Sequence, residues 1–231
     1  MDEKQTSTSG EYWKQHSVSW EASAYFEDTN KEPAFWDKVS TWFRGRGMYV
    51  RMDAALTMVA PHVNGKVLLD IGCASGRFPF LLMKAGAKRV IGVDVVPAVI
   101  DLANQRRVAS PYADRMEFSV LDLGQPGAQF PEVDIVTALG VIEYFNAAEV
   151  DSILSRMKAK HFLFEFPDSQ GRQEDRVTWQ LRRVYLWLNH CPGVYLYSQD
   201  QFNAMAAKYG YQDVSYARHG KFYFATNLPQ A

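Results

Sequence analysis

Two cysteines in 231 residues, Cys73 and Cys191, are too few and too far apart for a zinc cluster or a disulfide framework. No metal site is expected, and a reducing compartment is the simpler reading, with a single bridge left open. Excess charge is lacking too: 25 lysines and arginines against 26 aspartates and glutamates leave a net charge of −1. A general nucleic-acid binder carries a marked basic excess, so nucleic acid is not expected as a partner. No apolar run approaches the roughly 20 residues that span a bilayer. The leading MDEKQTSTSG is polar, without the apolar centre of a secretory signal. A cytoplasmic protein with no membrane partner is expected. Internal repeats and low-complexity tracts are missing. What is there is ordinary globular usage, 47% apolar and 22% charged, at a length suited to one domain with an appendage. Oligomeric state is not legible in it.

Along the chain, residues 1–10 read as a frayed tail. Residues 11–26 are helix-compatible, with Trp13 and Trp20 about two turns apart. Pro33 opens a second segment whose Phe35, Val39 and Trp42 share one face, and Gly45 and Gly47 mark its end. A third helix, from about Met48 to Ala60, places Met52, Leu56 and Val59 together, and Pro61 and Gly65 close it. The period then changes. KVLLDIG (66–72) is a short continuous apolar run, the mark of a strand buried on both faces. Further strands are expected at 89–94, 116–122, 133–139 and 161–167. Helices are expected at RFPFLLMK, at 97–107 with proline at its start, and at 147–159. Such alternation calls for parallel strands joined by right-handed crossovers, a doubly wound α/β sheet. A helical insertion at about 168–193 follows the fifth strand. After it come a capped helix from Ser198 and an antiparallel hairpin around His219 and Gly220, which brings the sheet to about seven strands. The expected division is a tail and helical cap over 1–60 and a binding domain over 61–231.

The informative stretch is LLDIGCASGRF (68–78). A buried strand is expected to end at Asp70, with Gly72 and Gly76 turning the chain and letting a ligand approach the backbone. By itself such a loop is also compatible with a plain strand-to-helix turn. Asp94, 22 positions beyond Gly72, closes the second strand, where a carboxylate can accept from both hydroxyls of a ribose. Asp122 closes the third, where it can accept from an adenine amino group. An aspartate at one strand end is often a turn-former. Three at the carboxyl ends of successive parallel strands fit the edge where open α/β sheets bind ligands.

These residues resemble the class I S-adenosylmethionine-dependent methyltransferase family, motif by motif over about residues 66–166. DIGCASG is similar to its first motif, with Ala74 in place of the middle glycine. The resemblance implies a Rossmann-like sheet and S-adenosyl-L-methionine as cofactor. It implies that Asp70 and the backbone at Gly72, Cys73 and Ala74 hold the methionyl part, with Gly76 completing the loop. It places Asp94 on the ribose, Val95 against the adenine, and Asp122 with the Leu123 backbone on the adenine edge. TALGVIEYF (137–145) is similar to the fourth-strand motif, with the Leu139 carbonyl facing the methionyl amine and Tyr144 where a histidine is common. Arg51 lies at a spacing similar to that of the arginine that pairs with the methionyl carboxylate in ubiquinone- and magnesium-protoporphyrin-type relatives. A solvated helix arginine is the alternative.

The function this implies is methyl transfer to an oxygen or nitrogen of a small molecule. The sequence identifies no general base. His16, Tyr144 and His219 are the candidates. His161 and His190, like His16 and His219, also suit structural or exposed positions. Tyr12, Tyr25 and Phe26 can line a substrate mouth or simply pack. Glu143 and Glu165 can meet substrate or face solvent. Arg182 and Arg183, on a helix within 172–189, can recognise an anionic group from a lid or form a solvated basic face. A nicotinamide-dependent oxidoreductase is a rival, but no tyrosine has a lysine four residues later, as a short-chain dehydrogenase requires. An amino-methylating nucleic-acid enzyme carries Asn/Asp-Pro-Pro-Tyr/Phe after the fourth strand, where this chain has Leu139-Gly140-Val141-Ile142. A cofactor-binding regulatory or partner subunit without catalysis is the third alternative.

Overall fold

Seven strands form one sheet in the order β3-β2-β1-β4-β5-β7-β6. The computed structural model describes Tyr12, Trp13, Ser17 and residues 35–125, 127–167, 195–220 and 222–229, with backbone alone over 35–47. Its strands are β1 (Val67–Ile71), β2 (Arg89–Asp94), β3 (Met116–Val120), β4 (Ile135–Leu139), β5 (His161–Glu165), β6 (Ser215–His219) and β7 (Phe222–Thr226). The helices are α1 (Phe35–Val63), α2 (Arg77–Lys84), α3 (Pro97–Val108), α4 (Ala147–Arg156) and α5 (Gln199–Ala207). Strands β1 to β5 pair in parallel, and β7 runs antiparallel to both β5 and β6. The doubly wound sheet, the closing hairpin and the capped helix after Ser198 all match expectation. The Ser198 hydroxyl accepts from the Gln201 amide, and Gln201 Oε1 accepts from the Ser198 amide.

Alternation along the strands sorts side chains onto two faces. Leu68, Val90, Ile135, Leu163 and Phe224 pack with Ala55 and Val59 of α1, Leu82 of α2 and Ile100 of α3. Leu69, Ile91, Val136, Phe162 and Phe164 pack on the other side with Ile153 of α4 and Phe202 of α5. Burial on both faces explains why the central strands read as unbroken apolar runs.

Three expectations are corrected. The two N-terminal segments divided at Gly45 and Gly47 are one helix of 29 residues. Glycine costs a helix only about 1 kcal/mol and clashes with nothing, while Met52, Ala55, Val59 and Val63 lock the helix onto the core. α1 therefore carries the chain without a break across position 60, the boundary expected from sequence, and Pro61 sits in its last turn. β1 continues one residue past Asp70, to Ile71. β3 stops at Val120, two residues before Asp122, because Asp122 turns the chain by accepting from the Gly124 amide at 3.0 Å.

No described helix is long and apolar enough to cross a membrane. The expected insertion at 168–193 and Cys191 lie outside the described residues.

Candidate functional site

Strand parity builds the site. Asp70, two residues after Leu68, shares its face, as do Thr137 on β4, Glu165 on β5 and Asp94 at the end of β2. All lie toward the carboxyl edge, on the side covered by α1. Register sets Asp70 beside Thr137, and the Thr137 hydroxyl donates to its carboxylate at 2.6 Å. Asp70 is 3% exposed. Burial pushes its pKa up to about 7; the Thr137 bond opposes the rise, the neighbouring Asp94 charge adds to it, and Arg51 opposes it.

Asp94 is half-buried and organises the glycine loop. One carboxylate oxygen accepts from the Ala74 amide at 3.0 Å and the other from the Val96 amide at 3.0 Å. Burial raises its pKa, and the Val96, Ala74 and Val95 amides counter the rise. Ala74 sits at φ 47°, the left-handed region. The residue that departs from the family pattern therefore occupies a conformation that favours glycine, and Asp94 pins it there. Gly72 stands at φ 68°, and its amide donates to the Val93 carbonyl at 2.8 Å. A Cβ on Gly72 would overlap a methyl of Val141. Gly72→Ala is therefore expected to cost about 1–3 kcal/mol in urea denaturation, and pairing it with Val141→Ala should recover the steric part. Gly76 caps α2, and Cys73 is buried, with its Sγ 3.6 Å from the Ala74 carbonyl.

Arg51 extends from α1 to the ends of β4 and β5. Its Nη1 meets Glu165 Oε2 at 3.4 Å, with the side chains 14% and 9% exposed. Gly140 makes room for it: at φ 71°, a Cβ there would overlap the guanidinium. Only Nη1 is engaged, and Nε is buried with no hydrogen-bond partner among the described residues. Asp70 thus feels both a second carboxylate, Asp94, and a guanidinium whose Nε–H is unsatisfied. Such an edge of the sheet suits a ligand carrying an ammonium or sulfonium, hydroxyl and amino donors, and one carboxylate.

A family described as a methyltransferase domain matches residues 45–216. The chain belongs to this family, the S-adenosylmethionine-dependent methyltransferases. Magnesium protoporphyrin IX methyltransferase from Synechocystis PCC 6803, solved with bound S-adenosylmethionine, is similar over 96% of each chain, with TM-score 0.64 and 17% identity. A methyltransferase from Mesorhizobium loti is similar over 76% of this chain and 96% of its own, with TM-score 0.58 and 16% identity. These two likenesses are of fold. Among curated relatives, the ribosomal protein L11 methyltransferase of Salmonella arizonae is 36% identical over 76 residues, 33% of this chain. The chain spans a quarter of that relative's length.

Asp70, Gly72, Cys73, Ala74, Gly76 and Asp94 come together around the first two strands, and Arg51 reaches the adjoining ends of β4 and β5. Val95 is half-buried next to Asp94. Asp122 turns the loop after β3 and is followed by buried Leu123. Leu139 ends β4 on the Glu165 register. Tyr144 belongs to a 3-10 turn (Ile142–Tyr144), and Trp13 packs edge-on against it with ring centroids 5.2 Å apart. Tyr12 packs edge-on against Trp13 at 5.4 Å. Trp13 thus reaches the loop after the fourth strand, with Tyr12 packed on it. His219 is exposed on the outer strand, edge-on to Phe224, and three strand spacings of about 4.8 Å separate β6 from β4. His16, Tyr25, Phe26, Arg182 and Arg183 lie outside the described residues.

Neither Glu143 nor Glu165 faces solvent: they are 2% and 7% exposed. Sequence reasoning missed Thr137 and Gly140 altogether. A glycine directly after a buried strand was the available signal for Gly140. Nothing local marks Thr137, whose role follows from register.

Proposed function

We infer that the protein transfers a methyl group from S-adenosyl-L-methionine to an oxygen or nitrogen of a small molecule. The observation that carries this reading is the pairing of an acid-lined glycine loop with the Nε of Arg51, buried and unpartnered among the described residues. A nucleoside bearing an amino acid needs hydroxyl acceptors, an ammonium partner and a carboxylate partner, and Asp94, Asp70 and Arg51 supply these in one continuous edge. The whole-chain likeness to a magnesium protoporphyrin IX methyltransferase supports a small-molecule acceptor. The relatives that modify ribosomal protein L11 match over 76 residues only.

When bound, the cofactor supplies a methyl already activated on a sulfonium. The remaining work falls to the chain. Arg51 takes the methionyl carboxylate through its unpartnered Nε while Glu165 holds Nη1. Asp70 balances the ammonium together with the Leu139 carbonyl, and Gly72, Cys73, Ala74 and Gly76 present backbone instead of bulk. Asp94 accepts from the ribose hydroxyls, Val95 covers the adenine, and Asp122 and the Leu123 backbone meet its edge. Within the expected cap of residues 1–60, Tyr12 and Trp13 stand with Tyr144 on the acceptor side. Holding acceptor and methyl in line supplies roughly 7–11 kcal/mol of the barrier. The cytoplasm is the proposed compartment, and neither nucleic acid nor a membrane is proposed as a partner.

Calorimetry tests the reading. S-adenosylhomocysteine should bind and NADH should not, and methyl transfer should appear within a panel of phenols, amines and carboxylic acids. Arg51→Met should weaken S-adenosylhomocysteine binding by roughly 10- to 100-fold. The same change should leave 5′-methylthioadenosine, which has no amino acid, nearly unaffected. Equal losses for both ligands would refute the Arg51 assignment.

A further inference from the structure

Arg156, the last residue of α4, makes a cluster of contacts that the site described above does not use. Its Nη2 donates to the Leu123 carbonyl at 2.7 Å, and its Nη1 donates to the carbonyls of Gln125 and Ala128, each at 3.0 Å. Its Nε donates to the Ser152 carbonyl at 3.0 Å, and the guanidinium lies 5.4 Å from the centre of the buried Phe130 ring. All four hydrogen-bond acceptors are backbone carbonyls, and no carboxylate pairs with the cation among the described residues.

Three of those carbonyls belong to the loop that leaves β3, which begins at Leu121 and carries Asp122 and Leu123. The loop is anchored by the buried Leu123 and Phe130 side chains and by two turn bonds, from the Gln125 amide to the Asp122 carbonyl and from the Ala128 amide to the Gln125 carbonyl; Arg156 adds three side-chain bonds to its carbonyls. Asp122 closes a turn onto Gly124 and touches the Gln125 side chain at 3.4 Å. No strand ladder continues past the bond from the Leu121 amide to the Asp94 carbonyl. α4 starts from its Asn146 cap shortly after β4, and Arg156 at its other end reaches the loop. A guanidinium suits this position because its donors are fixed in one plane and several carbonyls can be gripped at once, which an ammonium on a flexible stem cannot do. Charged donors also make these bonds stronger than neutral ones. Burial lowers the Arg156 pKa from its ordinary value, yet an arginine remains charged at any physiological pH.

We propose that Arg156 is a positioning residue for nucleobase recognition, clasping the 121–130 loop so that Asp122 and the Leu123 backbone stand ready for the adenine edge. This rests on the assignment of that edge under the proposed function. Arg156 touches no part of the ligand itself and acts through the loop.

The test compares S-adenosylhomocysteine with S-inosylhomocysteine, in which the adenine amino group is replaced by a carbonyl, on the full chain and two variants. The wild-type protein should prefer the adenine compound by 10-fold or more. Arg156→Met should weaken S-adenosylhomocysteine binding by roughly 10- to 100-fold and reduce that preference to about 3-fold or less. Arg156→Lys keeps the charge and the packing of the stem, so it guards against a folding failure, and it should lose most of the preference as well. A merely structural arginine would lower the melting temperature and leave the preference intact in both variants. That result overturns the inference and spares the nucleobase assignment. A wild-type protein without preference between the two compounds overturns both.

Discussion

Asp94→Ala is expected to weaken S-adenosylhomocysteine binding by roughly 10²–10³-fold, the largest loss from any single side chain in the site. A bond to a charged acceptor contributes about 1.5–3 kcal/mol, and the ribose reading gives Asp94 two of them. Part of that gain is offset because the ionised carboxylate is itself costly to bury, as its raised pKa shows. Alanine also orphans the Ala74 amide, which Asp94 holds at φ 47°. The loop then relaxes from the shape that presents its backbone to the ligand. Asp94→Asn should be milder, since one amide oxygen can still accept. Titration calorimetry gives the answer, and a loss under about 5-fold in the alanine variant would show that the ribose lies elsewhere.

The second large effect concerns pH and Asp70. Its folded pKa of about 7 stands well above the ordinary aspartate value of 3.8. A carboxyl raised on folding binds its proton more tightly in the native state. Its contribution to stability is therefore complete below about pH 4 and is lost as pH rises through 7. Ligand-free Asp70→Asn protein should match the wild type near pH 4 and exceed it at pH 8, by up to about 4 kcal/mol. Asparagine can still accept from Thr137, so the packing survives. Binding follows the opposite course. A cationic ligand favours ionised Asp70, so wild-type affinity should fall up to about tenfold per unit below pH 7. In the asparagine variant this dependence should flatten at a lower affinity. Urea denaturation between pH 4 and 8.5 and calorimetry between pH 5 and 8.5 check both halves. A variant that is less stable at pH 8, or one that keeps the wild-type pH slope, contradicts the account.

These two residues also show what could be read in advance. Asp70 and Asp94 follow buried apolar runs beside a glycine loop, a contiguous pattern, and the edge they define was legible before any coordinates. Their hydrogen-bond partners were not. Thr137 lies 67 residues from Asp70 and Glu165 lies 114 from Arg51. Each pair meets only because β4 is inserted between β1 and β5 and because parity turns both partners to the α1 face. Tyr144 was singled out from the fourth-strand motif, but its contact with Trp13 depends on where the N-terminal segment returns. Arg156 reads in sequence as an ordinary last-turn cation, and only the path of the neighbouring loop makes it a clasp.

The sequence alone determined what contiguous periodicity can specify: the alternation of strand and helix, the glycine turn, the acids near successive strand ends, the capped helix at Ser198 and the terminal hairpin. Each depends on neighbours within a few positions, where backbone sterics and side-chain spacing act directly. Tertiary structure decided that α1 runs on through Gly45 and Gly47, that Arg51 is held by Glu165 with its Nε unsatisfied, and that Asp70 is desolvated enough to titrate near neutrality. Those outcomes depend on what packs against what, and packing brings together groups whose separation along the chain carries no local signal.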